Sequence, residues 1–150
     1  MLPFTKIICP TDFSEPSLDG LKAAEELALN FDAELILINV VSLLHTPAYT
    51  VPSASQFEGI LEELQVAARQ KLDDIINEKL SSEVKIRALV MLGNAADEIT
   101  RVAEDENADV IVIATHGWTG WRRFMFGSVA EKVIRISSCP VLTIYRKEEG

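Results

Sequence analysis

The chain alternates between two hydrophobic rhythms. Five short runs rich in Ile, Val and Leu, at Phe4–Cys9, Ala33–Val41, Val84–Met91, Asp109–Ala114 and Val141–Tyr145, predict β-strands. In Ile7–Ile8, Leu35–Ile38 and Val110–Ile113 the apolar residues are contiguous rather than alternating. Contiguity suits strands buried on both faces, as in a parallel sheet layered between helices.

Helical spacing fills the gaps. Leu18, Leu21, Ala24 and Ala28 form one apolar stripe, with Ser14 placed as N-cap and Pro16 tolerated in the first turn. Phe57, Ile60, Leu61, Leu64, Ala68, Leu72, Ile75 and Ile76 keep the i, i+3, i+4 rule over about five turns. A third helix is predicted from about Ala96 to Glu106, with Ile99, Val102 and Ala103 inward. A fourth starts at Gly127, carries Val129, Ala130, Val133 and Ile134, and ends near Ser138 before Pro140.

Strands and helices in strict alternation predict right-handed crossovers and a doubly wound open parallel five-stranded α/β sheet, Rossmann-like, with helices on both faces. The expected strand order is 3-2-1-4-5, which reverses direction between the first and fourth strands. The stretch Ser42–Ser55, with Pro47, Pro52 and three serines, reads as a surface loop. Residues 1–150 read as one domain without internal repeats.

Composition narrows the function classes. At 150 residues, 48% apolar and 25% charged, the chain is long enough for one packed core and unlike a disordered protein. A net charge of −9 argues against nucleic acid as a partner, because that role needs clustered Lys and Arg. The same charge obliges any anion site to use locally aimed N–H groups rather than the overall field. The opening Met1–Lys6 lacks the basic start and apolar core of a signal peptide, and no apolar run nears the ~18 residues that span a bilayer. The expectation is a cytoplasmic protein with no membrane partner. Cys9 and Cys139 are too few for a disulfide scaffold or zinc site. Their places at opposite ends of strands, about 17–20 Å apart, argue against bonding to each other.

Open parallel sheets bind ligands beyond the C-terminal strand ends, where the strand order reverses. Two segments meet there in this topology: Pro10-Thr11-Asp12-Phe13-Ser14 after the first strand, and Ala114-Thr115-His116-Gly117 after the fourth. The loop Trp118–Phe126 then closes on Gly127-Ser128 at a helix start, where unpaired N–H groups and the helix dipole favour anions. Glycine at 117, 120 and 127 lets the backbone approach a phosphate, but glycines so spaced serve equally well as turns and a helix cap.

The run Ala114-Thr115-His116-Gly117, nine residues, then Gly127-Ser128-Val129-Ala130-Glu131-Lys132-Val133 resembles the nucleotide-binding signature of the ATP-binding universal stress proteins. Ile7-Ile8-Cys9-Pro10-Thr11-Asp12-Phe13-Ser14, Asn39-Val40-Val41 and Ser138-Cys139-Pro140-Val141-Leu142 are similar to that family as well, so the resemblance covers the whole chain. It implies that ATP, ADP or AMP is the ligand, with Mg²⁺ carried on the phosphates. By the same resemblance Pro10, Thr11 and Asp12 meet the ribose or phosphate region and Val40 the adenine. Ile113 and Ala114 line the ribose side, Gly117 the phosphates, and Gly127, Ser128 and Val129 the phosphate end. It further implies a homodimer through the edge strand Val141–Tyr145.

Two positions depart from the pattern. Ala114 stands where the signature has its first glycine; a methyl there is harmless at negative φ and damaging at positive φ. Trp118 replaces a residue often basic in relatives, and Arg122 and Arg123 are the nearby substitutes.

Other tempting residues have plainer readings. His116 has no nucleophile or second metal ligand at readable spacing, and His45 reads as solvated. Asp12 serves equally as an Asx-turn acid for the first helix, a role compatible with binding. Trp118, Trp121, Phe124, Met125 and Phe126 form either a loop anchor or a docking patch. The acids of the third helix, Asp97, Glu98, Glu104, Asp105 and Glu106, read as a solvated face.

The leading function is a nucleotide-binding, stress-associated regulator whose ligand shifts conformation or partner choice. The alternatives are a slow ATPase or nucleotidyl-transfer enzyme and a nucleotide-free dimeric interaction module. No second carboxylate, lysine or histidine is placed to orient an attacking water, which favours binding over catalysis, with at most weak ATP hydrolysis.

Overall fold

The computed structural model describes residues 2–42, 53–115 and 127–145. Strands β1 (Lys6–Pro10), β2 (Glu34–Val41), β3 (Lys85–Leu92), β4 (Val110–Thr115) and β5 (Val141–Tyr145) lie parallel in the order β3-β2-β1-β4-β5, as the sequence pattern predicts. Helices α1 (Glu15–Phe31), α2 (Ala54–Lys79), α3 (Ala95–Asp105) and α4 (Ser128–Ile136) alternate with them.

The contiguous apolar runs serve two cores at once, because successive strand residues face opposite sides. Ile7, Cys9, Leu35, Leu37, Val110 and Val112 pack with Leu21, Ala24 and Ala28 of α1 and Leu72 of α2. Ile8, Ile36, Ile38, Ile111 and Ile113 pack with Ile99, Val102 and Ala103 of α3 and Ala130 and Val133 of α4. Cys9 and Cys139 are free and lie on opposite faces of the sheet, so the sheet itself stands between them.

Local chemistry sets the helix starts. Ser14 caps α1 by accepting from Ser17 N–H, with Pro16 in the first turn. The start of α2 differs from the sequence reading. Ser53 and Gln56 form a reciprocal capping box, so the helix begins at Ala54 and takes Ala54 and Ser55 from the expected loop. The remainder of that loop, 43–52, lies outside the described residues. The stripe on α2 is also only partly used: Ala68 and Leu72 are buried, whereas Ile60 and Leu64 stay 39% and 41% exposed.

Ion pairs fasten the sheet at the N-terminal ends of its strands. Glu106, at the end of α3, accepts from both Arg87 guanidinium nitrogens at 2.8 and 2.6 Å and from Lys6 at 3.2 Å. These cations hold its carboxyl down at about 2, with the Arg87 bond the largest cause. The part of the acidic face read as solvated therefore includes one residue that ties α3 to β1 and β3. Asp109 accepts from the Lys6 and Thr5 N–H groups at 2.9 and 2.6 Å, which lowers its pKa as well.

Candidate functional site

The cleft begins where two strands part. β1 stays in register with β2 as far as Pro10↔Ile38, but with β4 only as far as Ile8↔Ile111. Past that point the chains diverge, α1 leaving toward one face and α4 lying on the other, which is the crevice expected at a switch point. The cleft is open to solvent, with a cavity volume of about 140 Å³.

Pro10, Thr11, Asp12, Val40, Ile113, Ala114, Gly127, Ser128 and Val129 all line this cleft. Gly117, the remaining candidate, lies outside the described residues, as do His45, His116, Trp118, Gly120, Trp121, Arg122, Arg123, Phe124, Met125 and Phe126.

A buried polar network fixes the floor of the cleft. Thr11 N–H donates to the Ile38 carbonyl at 2.8 Å, and its hydroxyl lies 2.8 Å from Ser17 Oγ. Asn39 Nδ2 donates to the Thr11 carbonyl at 2.9 Å, and Ser17 Oγ donates to the Ser14 carbonyl at 2.7 Å. Thr11, Ser17 and Asn39 are all buried, so each of these bonds answers a polar group that water does not reach.

Asp12 stands at the mouth. Its Oδ1 accepts from Ser14 N–H at 3.0 Å and from the Ser14 hydroxyl. The Asx-turn role is therefore real, and Asp12 still lines the cleft. Phe13, next to it, has a left-handed backbone at φ 67°, a conformation that costs about 1–3 kcal/mol in a bulky residue.

Across the cleft, α4 opens with Gly127 at φ −57°, ψ 150° and no side-chain cap. Glu131 N–H makes the first helical bond, to the Gly127 carbonyl at 3.0 Å. The N–H groups of Ser128, Val129 and Ala130 thus have no partner within the helix and lie at the positive end of its dipole. By contrast α1, α2 and α3 start on the capping side chains of Ser14, Ser53 and Asn94.

Ala114 lies within β4, and positive φ among described non-glycine residues is confined to Phe13, Asp32 and Asn107. The methyl that departs from the glycine signature therefore imposes no backbone strain. Sequence reasoning did not assign Ser17, Asn39, Ala95 or Ile99 to the site. Asn39 had a legible signal, one amide inside the apolar run Leu35–Val41; Ala95 and Ile99 had none, since their place depends on how α3 packs.

The fold is an α/β protein of the doubly wound class, with a cleft at the point where the strand order reverses. A family model, the universal stress protein family, matches residues 3–144. The chain belongs to the universal stress protein family. It is 38% identical over 148 residues to universal stress protein MJ0531 of Methanocaldococcus jannaschii, covering 97% of this chain and 85% of that one. The solved structure of MJ0577, a universal stress protein of the same organism, superposes with a TM-score of 0.80 at 33% identity, covering 97% and 99% of the two chains. The same fold occurs in a universal stress protein in complex with cAMP (TM-score 0.63, 22% identity, 95% and 97% covered). It recurs in one from Archaeoglobus fulgidus in complex with dAMP (0.54, 20%, 96% and 99%).

Proposed function

We propose that the chain binds ATP, or its products ADP and AMP, in this cleft and acts as a stress-response regulator through the conformation or partners that the nucleotide favours. The observation that carries the reading is the start of α4, which has no side-chain cap among the described residues and whose Gly127, Ser128 and Val129 line a cleft also lined by Asp12. Amide donors suit phosphoryl oxygens in a protein of net charge −9, where the overall field gives no help. The complexes of related folds with cAMP and dAMP favour an adenylate over other anions.

In this reading Gly127, Ser128 and Val129 hold the phosphates together with Gly117. Asp12, beside Pro10 and Thr11, takes the ribose or phosphate region. Val40 meets the adenine, and Ile113 and Ala114 form the ribose wall. Mg²⁺ is carried by the phosphates; among the described residues no group of three His, Cys, Asp or Glu is placed to hold a metal. Asp12 is the one charged side chain among the described lining residues, so the site binds rather than catalyses, with at most weak hydrolysis.

The protein works in the cytoplasm as a homodimer, without nucleic-acid or membrane partners. β5 is an edge strand with Leu142 and Tyr145 41% and 47% exposed, which a second copy of the strand would cover. Among the described residues no helix is long and apolar enough to cross a membrane.

Calorimetric titration with ATP, ADP and AMP, beside analysis of small molecules released on heating, tests the reading. An Asp12→Ala variant should keep the fold and lose affinity by about tenfold or more, the worth of a charge-assisted contact. Undiminished affinity would remove Asp12 from the site; no heat with any adenylate and no released nucleotide would leave a nucleotide-free module.

A further inference from the structure

Phe13 stands between Asp12 in the cleft and Ser14 at the cap of α1, with its backbone left-handed at φ 67°. The other two described non-glycine residues in this conformation are Asp32 and Asn107, types whose short polar side chains tolerate it. Phenylalanine has no such allowance, and a turn that needed only this φ would be better served by glycine. The ring must therefore have a use that outweighs the strain.

Its surroundings show one. The ring packs against the core beneath α1 and α2, and Lys71 of α2 sets its ammonium 5.2 Å from the ring centroid. The Phe13 N–H donates to Thr11 Oγ1 at 3.1 Å, joining the residue to the buried network of the cleft floor. Two successive residues thus serve different surroundings, Asp12 lining the cleft and the partly buried Phe13 ring packing against the core.

We propose that Phe13 is a positioning residue for the nucleotide site: its ring, packed against the core beside Lys71, fixes the left-handed turn that keeps Asp12 at the mouth of the cleft. The inference rests on the nucleotide reading for its ligand, though not for its geometry. Without the ring, residue 13 has no reason to stay in one backbone basin. Asp12 then moves with the turn, and the bond of 3.0 Å from Ser14 N–H to Asp12 Oδ1 is broken for part of the time. Lys71 extends the linkage to α2 through its cation–π contact.

The test combines ATP titration with amide hydrogen exchange at Ser14 in Phe13→Gly, Lys71→Gln, Asp12→Ala and the Phe13→Gly/Asp12→Ala double variant. Phe13→Gly should weaken ATP about tenfold when Asp12 is present and less than about twofold when it is absent, because a residue acting through another is not additive with it. Ser14 exchange should speed up about tenfold in Phe13→Gly and about threefold in Lys71→Gln, with the β4 amides unchanged. A ring that merely fills the core would give equal affinity losses in both backgrounds and no selective change at Ser14; either result overturns the proposal. If Phe13→Gly does not fold, Lys71→Gln decides: unaltered exchange at Ser14 overturns it. If the wild-type protein binds no adenylate, the functional reading fails, while the exchange data still decide whether Phe13 holds the turn.

Discussion

Gly20 of α1 and Ala114 of β4 occupy complementary space: a Cβ added at Gly20 would lie 3.1 Å from the Ala114 nitrogen and 3.2 Å from its Cβ. The methyl that replaces the signature glycine thus abuts a helix residue that has none. The helix can approach the strand end because its own side chain is missing, and this places Ser14 to Ser17 over the cleft floor.

The pair predicts an unusual result for a helical glycine. Gly→Ala inside a helix ordinarily gains about 0.5–1 kcal/mol. Overpacking against Ala114 costs about 1–3 kcal/mol, so Gly20→Ala should be destabilising by about 1 kcal/mol. In an Ala114→Gly background the same change should cost at least about 0.5 kcal/mol less. Urea denaturation of the four proteins measures both terms. A Gly20→Ala variant more stable than the parent would refute the contact.

Asn39 gives the second prediction. It is buried, and its amide answers the Thr11 carbonyl at 2.9 Å. Asn39→Ala leaves that carbonyl without its side-chain donor and should cost about 1–3 kcal/mol. For a chain of 150 residues that is a fall of roughly 2–4 °C in melting temperature per kcal/mol. ATP affinity should drop in the same variant, because Thr11 and Asp12 share one short turn. A melting curve superimposable on the parent's would show the bond to be idle.

How far such features can be read in advance depends on whether they are local. The doubly covered parallel sheet was legible because Leu35–Ile38 and Val110–Ile113 are contiguous apolar runs, a pattern that demands burial on two faces. The Gly127-Ser128 helix start was legible because a glycine ahead of an apolar helix is itself the signal. The Ser53–Gln56 capping box is equally local, but Pro52 and the serines around it carry the same signal as a loop. The tie from Arg87 to Glu106 and the pairing of Gly20 with Ala114 join residues distant in sequence, and no periodicity encodes them.

The two cysteines should differ sharply in reactivity. Cys9 is fully buried among apolar side chains, and burial pushes its thiol up to about 12. Cys139 is half-buried. At pH 8 an alkylating reagent should modify Cys139 at least about a hundredfold faster than Cys9, since the thiolate is the reacting form. Unfolding in denaturant should bring both to one rate. Equal rates in the native protein, read by mass spectrometry of peptides, would show that the β1 core opens readily.

The acid limb of stability should trace to Glu106. Its carboxyl is held at about 2 by Arg87 and Lys6, against an ordinary 4.5. A depressed pKa means that the unfolded chain takes up a proton which the folded protein refuses. The stabilisation is therefore complete above about 4.5 and is lost as pH falls toward about 2. Solvent at the half-exposed Arg87 screens the pair, so its contribution is about 1 kcal/mol rather than the full linkage value. Asp109, lowered by the Lys6 and Thr5 N–H groups, adds a second contribution of the same sign and remains in a Glu106→Gln variant. That variant should be weaker than the parent at pH 6.5 and should converge on it near pH 2. Urea midpoints measured across that range report the gap directly. A gap that stayed constant with pH would mean that shape, and not charge, is what Glu106 supplies.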